Sequence, residues 1–479
     1  MTNNYNYPSL PHGSSGRGPT GGGTTGAAPV KTVLYGRDIN CCPVPIHTAG
    51  AQNKPVVLLQ NDTGTATFGL SMDMLSKHLL LLGGIGTGKT NTYFSILKYL
   101  LKAISGKNLV LIFDSKGDFY REFYNPWDPN HIVIGNQREY ETKSRCWNIF
   151  DELRNPAGKF DNSSILAAKE IAKSLFAGRE SSSQPFFCNA ATDVVSKVLI
   201  DFFRHRPASQ LNNAVLVEYF RSANVNAYHD MIDRNPDFES IRDYFGQRGT
   251  NLTAQALGVL AYITGMVNDI FIGIFGESRP TGSFSMRQMV REKRENRSRK
   301  VVFIEYDLST GETLGPIYGL LYDLALKEDL GGRNHAGNTF YVCDEFRILP
   351  KLNHINDALN LGRSLGVKVL AGLQTINQLY DVYGQELGKT LAAGFMNSMC
   401  FQTWDLDTRE FISGRFGENY VNYGFHSLNA PISTQREGRV VEDWDILNLR
   451  VGEAFVNLAG VPAPFRFRFR QYVERKTTP

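Results

Sequence analysis

Cysteine is scarce in this chain: Cys41, Cys42, Cys146, Cys188, Cys343 and Cys400 are all there is among 479 residues. No two of them stand at the spacing of a zinc knuckle, and a chain of this length does not need a disulfide scaffold. The pattern reads as a protein of a reducing, cytoplasmic compartment. Net charge is also small, with 51 Lys and Arg against 47 Asp and Glu, giving +4. Such a balance does not announce nucleic acid, so any basic surface must come from local clustering. A membrane-spanning run is missing as well. The best apolar stretch, "ALGVLAYITGMV" from Ala256 to Val267, is too short and runs into Asn268 and Asp269. It is expected to be a core helix. No basic segment followed by an apolar run opens the chain, so no signal peptide is expected, and no internal repeat is visible.

What is present is ample apolar material, 42% of residues, enough for two or three domains. Residues 1–32 are rich in Gly, Ser and Thr and read as a disordered tail. "PVVLLQNDTGTATFGL" carries two β-rich pieces around "NDTG", a hairpin pattern. Apolar runs then alternate with helical ones. "HLLLLG" (His78–Gly83), "LVLIFD" (Leu109–Asp114) and "HIVIGN" (His131–Asn136) read as buried strands. Strands return at "VVFIEYD" (Val301–Asp307), "TFYVCDEF" (Thr339–Phe346), "VKVLAGLQ" (Val367–Gln374), "SMCFQTWD" (Ser398–Asp405) and "EAFVNLAG" (Glu453–Gly460). Near-continuous apolar strands separated by helices predict an α/β fold with a mostly parallel sheet covered on both faces. Between them lies a block with helical periodicity and few strand signals. The expected organisation is a sheet domain in two parts, residues 33–158 and 281–479, with an inserted all-α domain at 159–280.

"GGIGTGKT" is a complete P-loop pattern: Gly83, Gly84, Ile85, Gly86, Thr87, Gly88, Lys89 and Thr90. It follows a buried strand and opens a helix, the context the motif needs. Glycines let backbone N–H groups wrap phosphate oxygens, Lys89 reaches the β- and γ-phosphates of ATP, and Thr90 ligates Mg²⁺. In "FYVCDEF" a strand delivers Asp344 and Glu345 to its C-terminal end. In a P-loop enzyme the Asp holds Mg²⁺ and a following Glu activates water for attack on the γ-phosphate. "LVLIFDSKGDF" similarly sets Asp114, Lys116 and Asp118 at the C-terminal edge of the sheet, where ligands bind; turn chemistry explains Ser115 and Gly117 equally well.

Three further features carry two readings each. Gln374 ends an apolar strand, either as the first loop residue or because something polar waits there. Arg363 lies near a helix end followed by Gly366. A cation suits the helix dipole there, and a phosphate contact in a neighbouring subunit's site is the alternative. "RQMVREKRENRSRK" (Arg287–Lys300) is expected to be either a solvated helix and turn or a contact to a DNA backbone. "FRFRFR" (Phe465–Arg470) alternates strictly, as an edge strand with one aromatic and one Arg face would.

In the order of these segments, from about Asn61 to Tyr472, the chain resembles the type IV coupling proteins of the TraG/TraD group, ATPases that feed DNA to conjugative secretion channels. The strings that carry the resemblance are "HLLLLGGIGTGKT", "FDSKGDF" in place of a usual Asp-Pro-Lys-Gly-Glu-like segment, "CDEF", "GRSLGVKVLAGLQTINQLYDVYG" and "VVEDWDILNLRVGEAFV". The "GRS…GLQ…QL…YG" string is the most specific. The broader HerA/FtsK group of DNA pumps shares the nucleotide motifs and the strand-end Gln. The resemblance implies a RecA-like P-loop domain, ATP and Mg²⁺ as ligands, a homo-oligomeric ring of six, and DNA as substrate. It implies relaxase–DNA complexes and secretion-channel ATPases as partners. By position it gives Gln374 a contact to the γ-phosphate or the attacking water and gives Arg363 a reach into a neighbouring site. Lys77 falls where relatives often have Arg, and a lysine cannot make the bidentate fork. Relatives begin with transmembrane helices where this chain has its Gly/Ser/Thr-rich segment. Action in the cytoplasm, or at the inner face of the membrane through a separate anchor protein, is therefore expected. Two alternatives accompany the DNA-motor reading: a cytosolic DNA translocase in DNA processing or defence, and a docking platform switched by ATP.

Overall fold

The computed structural model describes residues 30–40, 54–140, 142–177, 179, 185–248, 253–279, 281–331, 337–426 and 431–474. Its strands, in chain order, begin with β1 (Val30–Gly36), β2 (Pro55–Gln60), β3 (Thr67–Ser71), β4 (Leu79–Leu82), β5 (Asn108–Asp114), β6 (His131–Ile134), β7 (Cys146–Trp147) and β8 (Ser283–Phe284). They continue with β9 (Lys300–Glu305), β10 (Asn338–Cys343), β11 (Val367–Leu373), β12 (Asn397–Phe401), β13 (Glu418–His426), β14 (Pro431–Arg439), β15 (Glu453–Asn457) and β16 (Phe465–Arg468).

Nine of these form one sheet in the order β16-β15-β12-β4-β11-β10-β5-β9-β6. Every pair from β12 to β6 is parallel, and β15 and β16 add an antiparallel edge. Strands β4, β5, β11 and β12 are buried at every position. The reason is visible in their residues. Leu80, Leu82, Leu109, Leu111 and Phe113 join one apolar core, and Leu79, Leu81, Val110 and Ile112 join another on the opposite face. A strand's side chains alternate between faces, so a strand covered on both sides needs apolar residues throughout. The α/β class and the mostly parallel sheet read from the sequence are the observed ones.

The helix Lys89–Ala103 follows β4 and buries Tyr93, Ile96, Leu97 and Leu100 against the second core. From 148 to 282 the described chain is helical, with Ile149–Leu153, Asn162–Leu175, Pro185–His205, Asn213–Ser222, Val225–Arg234 and Ala254–Ile270 as its α-helices. The stretch Ala256–Val267 lies within the last of these, as expected of a core helix. Its Val259, Ile263 and Met266 are buried in the same core as Leu80 and Leu111 of the sheet. Buried Asn213 donates to the carbonyls of Trp147 (2.8 Å) and Phe275 (2.7 Å), tying the block's entry and exit together. Cys146, Cys188, Cys343 and Cys400 are buried.

Local patterns come out as their chemistry dictates. β2 and β3 pair as an antiparallel hairpin. The "FRFRFR" stretch lies at the sheet edge in β16: Phe465, Phe467 and Phe469 are buried and Phe68 meets the first two edge-on. Its arginines face out, Arg466 onto Glu453 at 2.8 Å and Arg468 onto Asp62 at 3.2 Å.

Two expectations are corrected. Residues 1–29 of the presumed tail lie outside the described residues, but Val30 to Thr32 belong to β1. That strand pairs antiparallel with β13, which pairs with β14. β-Branched residues with a partner strand are ordered whatever their neighbours' composition. Most of the basic stretch at 287–300 is neither a solvated face nor a free cationic surface; of its cations only Arg297 and Arg299, in its turn, are exposed. Arg287 and Arg291 each donate to Glu328 Oε2 at 2.9 Å, and Arg294 donates to its Oε1 at 3.0 Å. Lys293 pairs with Asp329 and donates to Thr339 Oγ1 at 2.8 Å, and Lys300 pairs with Glu292. Glu328 and Asp329 arrive from the helix Gly311–Gly331. Cations this buried persist only when paired. Among the described residues no helix is long and apolar enough to cross a membrane.

Candidate nucleotide site

Four neighbouring parallel strands, β4, β11, β10 and β5, end at the same edge of the sheet, and each sends a segment toward one cavity of about 200 Å³. Ile85, Gly86, Gly88, Lys89, Thr90 and Asn91 line it from the turn after β4. Gln374 lines it from β11, Asp344 and Glu345 from β10, and Lys116 from β5. The crossovers thus gather residues up to 289 positions apart in the chain onto one edge, the place where α/β sheets bind ligands.

The turn after β4 is shaped by its glycines. Gly88 sits at φ 113°, and a Cβ there would lie 2.8 Å from the Cα of Gly452. Gly83 would collide with Phe401 at 2.6 Å. The turn is latched from outside by Gly452 N–H on the Thr87 carbonyl (2.8 Å) and by Gly84 N–H on that of Gln402 (2.8 Å). Lys89 is buried and donates to the carbonyls of Gly83 (2.6 Å) and Gly84 (2.8 Å). Burial pushes its ammonium pKa down, and Asp344 and Glu345 pull it back up.

Thr90 Oγ1 donates to Asp344 Oδ2 at 2.7 Å. Burial raises the Asp344 carboxyl above the usual range, while that hydrogen bond and the charges of Lys89 and Lys116 lower it. Gln374 Nε2 donates to Glu345 Oε2 at 2.8 Å, and the Gln374 N–H is taken by Gln378 Oε1 at 2.9 Å. Asp344 Oδ1 and Glu345 Oε1 are shielded from solvent and have no hydrogen-bond partner among the described residues. Orphaned carboxylate oxygens beside a buried ammonium and a strand-to-helix turn are the donor set that a magnesium nucleotide would satisfy. Thr90 and Asp344 are the pair able to share a cation with phosphate oxygens. Mg²⁺ is typically bound in this way, through one or two protein oxygens. Among the described residues no cluster of three or more His, Cys, Asp or Glu could hold a metal unaided.

Arg363 is not brought to this cavity. It precedes β11, and that seven-residue strand sets it about 20 Å from the edge that carries Gln374. There it donates to Asp73 Oδ1 at 3.1 Å, while Lys77 takes Asp73 Oδ2 at 2.8 Å. Arg363 is more than half exposed, and Gly366 at φ 83° ends its turn, as the sequence suggested. One lining residue was missed. Asn91 follows Thr90 in the first helical turn, and a polar residue on that end of a P-loop helix was the available signal. Its side chain also holds the C-terminal segment, donating to the Arg470 carbonyl (3.1 Å) and accepting from Tyr472 N–H (2.6 Å).

The model of the type IV secretion-system coupling protein DNA-binding domain matches residues 63–460. The chain belongs to this family. Coupling protein TraD of Escherichia coli (strain K12) is 22% identical over 417 residues, covering 84% of this chain and 54% of that protein. The chain therefore spans about half the length of that relative. Among solved coupling proteins, TrwB in complex with the non-hydrolysable ATP analogue ADPNP has a TM-score of 0.67 at 20% identity, over 95% of this chain and 98% of that one. TrwB in complex with ADP and Mg²⁺ has a TM-score of 0.65 at 19% identity, over 93% and 96%. The two likenesses show a shared coupling-protein fold.

Proposed function

We propose that this chain is an ATP-hydrolysing DNA motor that moves DNA, or a relaxase–DNA substrate, to a type IV secretion apparatus. The observation that carries the reading is the Glu345–Gln374 pair set beside Lys89, Thr90 and Asp344 at one sheet edge. The bound TrwB forms, with ADPNP and with ADP and Mg²⁺, support the choice of ligand.

In this mechanism the P-loop backbone and Lys89 bind the phosphate chain. Thr90 and Asp344 would hold Mg²⁺, which would supply charge neutralisation for the phosphates. Glu345 takes the proton from the attacking water, with Gln374 holding its carboxylate toward that water. Loss of the terminal phosphate relaxes the Glu345–Gln374 pair and is passed through Gln374 to the helix Asn377–Tyr383 behind it. Arg363 lies away from its own cavity, on Asp73, and in this reading it completes the site of the next subunit in a ring. The nucleotide-binding parts are residues 33–158 and 281–479, with the helical segment 159–280 as the all-α unit that meets substrate.

Lys89→Ala is expected to abolish nucleotide binding. Glu345→Gln is expected to bind ATP and to lose about 10²–10⁴-fold in turnover, the usual contribution of a general base. Full hydrolysis by Glu345→Gln overturns the assignment.

A further inference from the structure

We propose that Lys116 is a second cation for the terminal phosphate of a bound nucleoside triphosphate, delivered by a loop built to hold it there. The inference rests on the nucleotide reading above and adds to it the residue that distinguishes a triphosphate from a diphosphate.

The loop follows β5, the immediate neighbour of β10. Phe113 is in register with Cys343, so Asp114 and Asp344 leave the sheet side by side. Asp114 is buried and turns the chain with its own carboxylate. Oδ1 accepts from Lys116 N–H at 3.1 Å, and Oδ2 accepts from Phe119 N–H at 2.8 Å and Tyr120 N–H at 3.0 Å. Gly117 then takes a left-handed conformation, φ 69°. A Cβ at that position would lie 2.8 Å from the Tyr140 hydroxyl and 3.3 Å from the Arg121 guanidinium. The backbone around Lys116 is therefore fixed from both sides, and the side chain it carries forms part of the cavity wall opposite the P-loop.

Lys116 is exposed, and its ammonium makes no hydrogen bond or ion pair among the described residues. On an open surface that would be an ordinary solvated lysine. Here it shares a cavity with Lys89, Asp344 and Glu345. Lys89 alone against two carboxylates leaves the pocket's charged side chains net negative, a poor match for a polyanion; Lys116 restores the balance. The strand order sets which phosphate it meets. The P-loop leaves β4, and β11 and β10 lie between β4 and β5. Lys116 thus approaches from the far side, past Asp344, where the phosphate chain ends. Its charge is already felt there: it helps lower the Asp344 carboxyl and pushes down the Lys89 ammonium.

The test compares Mg²⁺-ADPNP with Mg²⁺-ADP binding to the full chain, for wild type, Lys116→Ala, Lys116→Met, Lys116→Arg and Gly117→Ala, with melting curves to confirm folding. Lys116→Ala and Lys116→Met are expected to lose at least tenfold in ADPNP affinity, as for a lost charge-assisted contact, with ADP affinity within twofold of wild type. Lys116→Arg should keep most of the preference. Gly117→Ala should lose it, because the loop must shift to admit the methyl group. An unchanged ADPNP-to-ADP ratio in Lys116→Ala, or an equal loss for both nucleotides, overturns the proposal. Should wild type bind neither nucleotide better than Lys89→Ala does, the nucleotide reading itself fails, and the role of Lys116 with it.

Discussion

Removing the Gln374 amide is the most informative single change at the site. Gln374 gives Glu345 the one side-chain hydrogen bond its carboxylate receives among the described residues, at 2.8 Å, and the other carboxylate oxygen is shielded without a partner. In Gln374→Ala the Glu345 carboxylate loses the hydrogen bond that orients it. A hydrogen bond to a charged group is worth about 1.5–3 kcal/mol. If that energy is expressed in the transition state, turnover falls roughly 10- to 150-fold. Nucleotide affinity should change by less than about threefold, because Lys89 and the P-loop backbone supply the phosphate contacts. Steady-state hydrolysis and equilibrium binding of ADPNP measure the two quantities separately. Turnover within twofold of wild type would refute the idea that Gln374 orients the base. A large loss of ADPNP affinity with unchanged turnover would instead make it a phosphate contact only.

Other outcomes follow from residues outside that pair. Arg363→Ala and Lys89→Ala should each be inactive alone, and mixing the two should restore part of the turnover, since Arg363 stands about 20 Å from its own cavity; no recovery on mixing speaks against action between subunits. Glu305 is buried beside Asp114, Glu139, Tyr140 and Arg121, and burial, then Asp114, pushes its carboxyl up to about 9. The unfolded chain releases that proton near 4.5, the ordinary value for a glutamate. The folded state therefore binds the extra proton between these values, and wild-type stability falls as pH rises through that window. Glu305→Gln should gain on wild type by about 1.4 kcal/mol per pH unit there, read by urea unfolding between pH 6 and 9; parallel profiles would contradict the shift.

Much of the site was legible because its chemistry is local. The P-loop from Gly83 to Thr90 and the doublet Asp344–Glu345 each announce themselves within a few residues, and the strands before them are apolar for a reason the sheet then displays. The edge character of "FRFRFR" was legible too, since period-two alternation fixes which face is buried. What escaped depends on partners distant in sequence. Nothing in "RQMVREKRENRSRK" says that Glu328 and Asp329 wait on another helix to bury its cations, so composition suggested solvent or DNA. Val30 to Thr32 read as tail because β13, their partner, lies nearly 400 residues on. That Gln374 meets Glu345, and that Arg363 and Lys77 share Asp73 at the opposite edge, required the strand order, which periodicity does not contain.

The central claim is that ATP turnover at this site is coupled to DNA. The direct measurement is the rate of ATP hydrolysis by the full chain, with and without single- and double-stranded DNA, for wild type and Lys89→Ala. The account predicts turnover that rises when one of the DNA forms is added and is absent in Lys89→Ala under every condition. Turnover that is indifferent to both DNA forms, or that survives Lys89→Ala, would contradict it.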